Sequence, residues 1–153
     1  MCGIAGMLDL GDRRSVDAAT LHAMTAAIRH RGPDDSGFHF EPGIGLGACR
    51  LSIIDLAGGR QPISNEDGTI WVAFNGELFD YPEIQRDLVA RGHRLKTRCD
   101  TECIVHLWED HGERMFEYLR GQFAFALWDS RQRCLILARD RVGISPLYWS
   151  QQG

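Results

Sequence analysis

No stretch of this sequence stays apolar for the roughly 18 residues that a membrane-spanning helix needs, so an integral membrane protein is not expected. The N-terminus has neither the basic start nor the apolar stretch of a secretory leader. Basic charge is not in surplus: 17 Lys and Arg stand against 21 Asp and Glu, a net charge of −4. No polybasic run is present either, which argues against nucleic acid as a partner. Cysteines are few and odd in number: the five at 2, 49, 99, 103 and 134 make no disulfide framework. A reducing, cytoplasmic setting is the default for such a chain. What is present is ordinary: 153 residues, 44% hydrophobic and 25% charged, enough for one domain with a sizeable core.

The 17 glycines gather in polar clusters, which points to tight turns and close backbone approaches. Ile4–Leu10, bounded by Gly11 and Asp12, predicts a buried first strand that would hold Cys2 at its tip. Ser15 or Asp17 can cap a helix running to about His30, with Leu21, Met24 and Ile28 on one stripe. Arg29 to Asp34 then reads Arg-His-Arg-Gly-Pro-Asp, which a basic helix end and a turn would explain. Gly37–Phe40 and Ile44–Ile54 predict paired strands. Ala57–Gly68 is a long polar loop, and Ile70–Phe74 a strand that runs into Asn75, Gly76 and Glu77. A helix follows, with Pro82 in its first turn and Gly92 after its end. His93–Thr97 predicts a short polar strand, Asp100 onward a helix, and Glu113–Leu119 a shorter one. Gln122–Asp129 is apolar on both faces, so it should be covered on both sides. Cys134–Ala138 pairs with it by a hairpin, and residues 147–149 begin a further strand. Stacked sheets with helices outside are the expected architecture.

Several residues carry possible chemistry. If Met1 is removed, Cys2 holds a thiol and a free α-amine on one residue, and a neutral amine can take the thiol proton. The plain alternative is a small residue at position 2. Arg50 lies in an apolar strand, where it needs either a structural ion pair or a ligand carboxylate. Asn75-Gly76 is either a hairpin turn or, since a helix follows, an amide and an N–H presented at one point, as an oxyanion hole requires. Asp100 is either a helix cap or a ligand group. Cys99, Cys103 and His106 lack the fourth ligand and the spacing of a zinc site, so no metal is assigned.

Seven ordered stretches together carry a family resemblance: Met-Cys-Gly-Ile-Ala-Gly, Arg-His-Arg-Gly-Pro-Asp, Arg-Leu-Ser-Ile-Ile-Asp, Phe-Asn-Gly-Glu, Asp-Thr-Glu, Gly-Gln-Phe-Ala-Phe-Ala-Leu-Trp-Asp and Arg-Asp-Arg-Val-Gly-Ile-Ser-Pro-Leu-Tyr. The chain resembles the glutaminase domain of class II glutamine amidotransferases, on the asparagine synthetase branch. The resemblance implies an α+β fold, a four-layer αββα sandwich of mainly antiparallel sheets of the N-terminal-nucleophile hydrolase class. It covers residues 1–153, with the C-terminal edge expected to be incomplete. It implies that Cys2 attacks the side-chain amide of L-glutamine, with its own α-amine as base. Asn75 and the Gly76 N–H would hold the oxyanion. Arg50 would clamp the substrate carboxylate, Glu77 and Asp100 would receive its ammonium, and backbone near Leu51 and Ile53 would assist. A thioester would form, and water would release glutamate.

The ammonia would pass to a synthetase domain or subunit. That domain's Ser-Gly-Gly-x-Asp-Ser loop is absent here, so ATP and Mg are expected only there and no cofactor in this domain. With Met1 in place the amine belongs to the wrong residue, and that species should be inactive. The alternatives are amidation of a carboxylate other than that of aspartate, or a non-catalytic docking module of the same fold.

Overall fold

The structure, a computed structural model, describes residues 2–11, 14–55 and 58–152. Met1, Asp12 and Ala57 lie outside the described residues. In chain order the elements are β1 (Gly3–Leu8), α1 (Ala18–Ala27), a 3-10 turn (Arg29–Arg31), β2 (Asp35–Glu41), β3 (Ile44–Arg50), β4 (Ile63–Ser64) and β5 (Ile70–Leu78). Then come α2 (Tyr81–Ala90), α3 (Asp100–His111), a second 3-10 turn (Gly112–Glu117), β6 (Gly121–Asp129) and β7 (Cys134–Arg139).

The strands form two antiparallel sheets, ordered β1-β3-β2 and β4-β5-β6-β7. α1 packs on β1 and β3, β1 and β3 pack on β5, and α3 packs on β5 with α2 beside it. The order of layers is therefore helix, sheet, sheet, helix, the αββα sandwich.

Side-chain alternation along the strands explains the stacking. Phe123, Phe125 and Leu127 of β6 join the large core beneath α2 and α3, with Phe74, Ile104 and Leu107. Ala126 and Trp128, on the opposite face, meet Ile44 and Leu46 of β3 between the sheets. On the outer face of β3, a Cβ at Gly47 would lie 2.5 Å from the Thr25 hydroxyl. Glycine there lets α1 lie close, and the buried Cys49 Sγ donates to the Thr25 carbonyl at 3.3 Å. Asp17 caps α1, accepting from the N–H groups of Ala19 and Thr20.

Some segments depart from the sequence reading. β3 stops at Arg50, not Ile54, because Arg50 Nη2 donates to the carbonyls of Ile54 and Asp55 at 2.8 and 2.6 Å and turns the chain back. β5 continues past Phe74 to Leu78, so Asn75-Gly76 is strand and not turn. Residues 93–97 form no strand. Their N–H groups go to carboxylates instead: Arg94 to Glu66, Lys96 and Thr97 to Glu102. Residues 113–119 are mainly a 3-10 turn, and 147–149 form no strand.

Candidate active site

Cys2 leads into β1, whose Gly3 pairs with Cys49 of β3. The Arg-His-Arg-Gly-Pro-Asp stretch holds this corner. Arg31 Nε donates to the Cys2 carbonyl at 3.1 Å, and Asp34 N–H to the Arg50 carbonyl at 3.1 Å. Asp34 Oδ2 accepts from Ser52 N–H at 2.7 Å. The basic turn expected from sequence is thus a clasp between the nucleophile candidate and the exit of β3. Cys2 Sγ lies 3.9 Å from the Leu51 carbonyl oxygen.

The second sheet supplies the facing wall. β4 covers β5 only at Trp71 and Val72, so among the described residues no strand lies beside the edge of β5 beyond Phe74. Strand N–H groups alternate between two edges. The Phe74 N–H donates to Gln61 Oε1 at 2.7 Å and the Leu78 N–H to Asp100 Oδ2 at 3.0 Å, both away from β6. Gly76 lies midway between them, so its N–H points to the same open edge. A side chain at Gly76 would overlap the Gln122 carbonyl and lie 2.6 Å from Phe123 Cα, which is why glycine stands there. Asn75 is 3% exposed, and its carboxamide oxygen is buried without a protein partner.

A cavity of about 140 Å³ opens between these walls. Cys2, Arg50, Leu51, Ile53, Gly76, Glu77 and Asp100 all line it. Asn75 is the one sequence candidate that does not, as it alternates toward the face between the sheets. Gln61, Thr101 and Gln122 line it as well and were not singled out from sequence. Gln61 sits in a loop with no pattern to mark it, yet it ties β5 to α3 through Phe74 N–H and the Thr101 hydroxyl.

Asp100 is not the cap of α3. Cys99 holds the cap position, and Asp100 is the first helical residue, 5% exposed. Burial pushes its carboxyl above the ordinary range, and the negative charge of Glu77 adds to this. The N–H groups of Leu78 and Thr101 offset part of the rise. Two neighbouring carboxylates favour a cation between them. Arg50, 7% exposed, stands in the same cleft. The buried thiols of Cys99 and Cys103 are pushed up by burial, so they stay protonated and unreactive.

A family model described as "Glutamine amidotransferase domain" matches residues 1–153. The chain belongs to this family. An asparagine synthetase [glutamine-hydrolyzing] 2 of Bacillus subtilis is 42% identical over 99% of the chain and 20% of its own length. An asparagine synthetase [glutamine-hydrolyzing] 3 of Arabidopsis thaliana is 41% identical over 100% of the chain and 26% of its own length. The chain therefore spans about a fifth to a quarter of these relatives. Among solved structures, a glutamine phosphoribosylpyrophosphate amidotransferase from B. subtilis aligns over 90% of this chain and 37% of that one. Its TM-score is 0.68 at 18% identity, a likeness of fold. Family and fold agree with the αββα sandwich.

Proposed function

We propose that this glutamine amidotransferase domain hydrolyses the side-chain amide of L-glutamine and supplies ammonia to an ATP-dependent amidation that makes asparagine. One observation carries the reading: a thiol, an arginine, a carboxylate pair and an open strand edge meet in one cleft. These are the groups that an amino acid bearing an amide requires. Arg50 takes the α-carboxylate, and Glu77 with Asp100 takes the α-ammonium. The backbone at Leu51 and Ile53 borders the substrate. The amide carbonyl lies against the Gly76 N–H, with the Asn75 amide turning toward it as oxyanion charge develops. One such donor is typically worth about 2.7–4 kcal/mol of barrier.

With Met1 removed, the Cys2 α-amine takes the thiol proton. Sulfur attacks the amide carbon, and the same amine returns the proton to departing ammonia. Water then cleaves the thioester to glutamate. The acceptor site, with its ATP and Mg²⁺, belongs to a separate synthetase domain or subunit. This domain needs no cofactor of its own for the chemistry, and a cytoplasmic setting suits its free thiols. The asparagine assignment rests on the relatives at 42% and 41% identity.

The test is glutamate release from glutamine by the processed full-length protein and by Cys2→Ala. A loss of at least about 10³-fold is expected, as for removal of a nucleophile. Equal rates from a folded variant would overturn the reading. Protein shown by mass to retain Met1 should be as inactive as Cys2→Ala.

A further inference from the structure

Away from the cleft, four side chains from three segments converge on one point. Glu66 comes from the loop between β4 and β5, His93 from the loop after α2, and His106 and Glu109 from one face of α3. One ligand atom from each lies within 4.8 Å of every other. His106 Nδ1 is 3.0 Å from Glu109 Oε2 and 3.4 Å from Glu66 Oε2. His93 Nδ1 is 3.5 Å from Glu66 Oε1 and 3.7 Å from Glu109 Oε2. A tetrahedral ion bound at about 2.0–2.1 Å separates its ligands by about 3.3 Å, close to these values.

Three of the four residues also hold a hydrogen-bond partner outside the cluster, as metal ligands usually do. His93 Nε2 meets Asp110 Oδ1 at 3.1 Å. Glu66 Oε1 accepts from the Arg94 N–H, and Glu109 Oε1 from Asn65 Nδ2, both at 2.8 Å. His106, wholly buried, faces Glu102 with Nε2 at 3.7 Å. A neutral imidazole has one N–H. His106 Nδ1 is hydrogen-bonded to Glu109 Oε2 at 3.0 Å, while its Nε2, beyond hydrogen-bond reach of Glu102, has no partner. A divalent cation would take the place of the protons on the inward imidazole nitrogens, with two carboxylate oxygens already beside them.

We propose that Glu66, His93, His106 and Glu109 form a structural site for one zinc-type divalent cation, fixing α3 to the two loops. Two imidazoles and two carboxylates select such an ion over Mg²⁺ or Ca²⁺, which favour all-oxygen shells. Four protein ligands close the site, as in a structural and not a catalytic centre. The site stands independently of glutamine hydrolysis.

Metal-free full-length protein titrated with Co²⁺ tests this. One ion per chain is expected, with the strong visible absorption of a tetrahedral site, displaced by Zn²⁺. Zn²⁺ should raise the melting temperature by several degrees. Glu66→Gln and His93→Asn, at less buried positions where folding survives, should each lose the absorption and the thermal shift. Asp110→Asn should bind about 10–100-fold more weakly. Cys2→Ala should bind as the wild type does. Failure of the wild type to take up an ion would overturn the proposal, leaving a proton-sharing ion cluster. Uptake that survives Glu66→Gln and His93→Asn, or that vanishes only in Cys2→Ala, would overturn it equally.

Discussion

Asp100 is where burial and function pull against each other. Burial and the nearby Glu77 raise its carboxyl, so the cleft by itself disfavours the Asp100 charge. A bound ammonium has the opposite preference. Glutamine affinity should therefore fall as pH drops through the raised Asp100 value. Asp100→Asn should remove that pH dependence and raise KM for glutamine about 10–100-fold, the worth of a hydrogen bond to a charged group. kcat should change far less, because the proposed role of Asp100 is at the α-ammonium and not at the reacting amide. Initial rates across pH for both proteins check this. Sequence alone marked Asp100 but favoured a cap, since an Asp at a helix start looks the same in either role.

At the scale of elements, β5 carries the site through its uncovered edge. Gly76→Ala should force β5 and β6 apart, because the new methyl overlaps the Gln122 carbonyl. A loss of about 1–3 kcal/mol in denaturant unfolding is expected, as for overpacking. Glutamine turnover should fall by more than that loss explains, since the Gly76 N–H moves too. The apolar alternation of Gln122–Asp129 made β6 legible, and the Asp17 cap and Pro82 made α1 and α2 legible. Of the two readings of the Asn-Gly pair, the turn falls away, because pairing with Ala124 and Phe123 keeps it in strand. Residues 93–97 did mislead. Their hydrogen-bond partners are carboxylates from Glu66 and Glu102, which no period within the segment reveals. The Glu66, His93, His106 and Glu109 cluster was invisible for the same reason, being assembled from three segments.

For the molecule as a whole, Asp140 ties the segment after β7 back to β6. Its carboxylate accepts from the N–H groups of Phe123, Val142, Ile144 and Ser145. Within the Arg139-Asp140-Arg141 run, Asp140 is thus held by backbone donors. Burial works against its charge, but these donors prevail and hold its pKa at about 2. A depressed carboxyl stabilises the fold fully above its unfolded value and loses that effect as pH falls toward about 2. Asp140→Asn should lower the melting temperature at pH 7, and the gap from wild type should close as pH falls through that range. Thermal unfolding at a series of pH values would check it.

Cys2 enters from one sheet and the Gly76 N–H from the other, and the cleft exists only where the two layers meet. Neither sheet alone holds both the sulfur proposed to attack and the N–H proposed to steady the oxyanion. A nascent chain that has formed β1, β2 and β3 but not β5 and β6 has a thiol and nothing to attack with it. Under the proposed function, ammonia release should therefore report completed assembly of the sandwich, and a half-built domain should consume no glutamine.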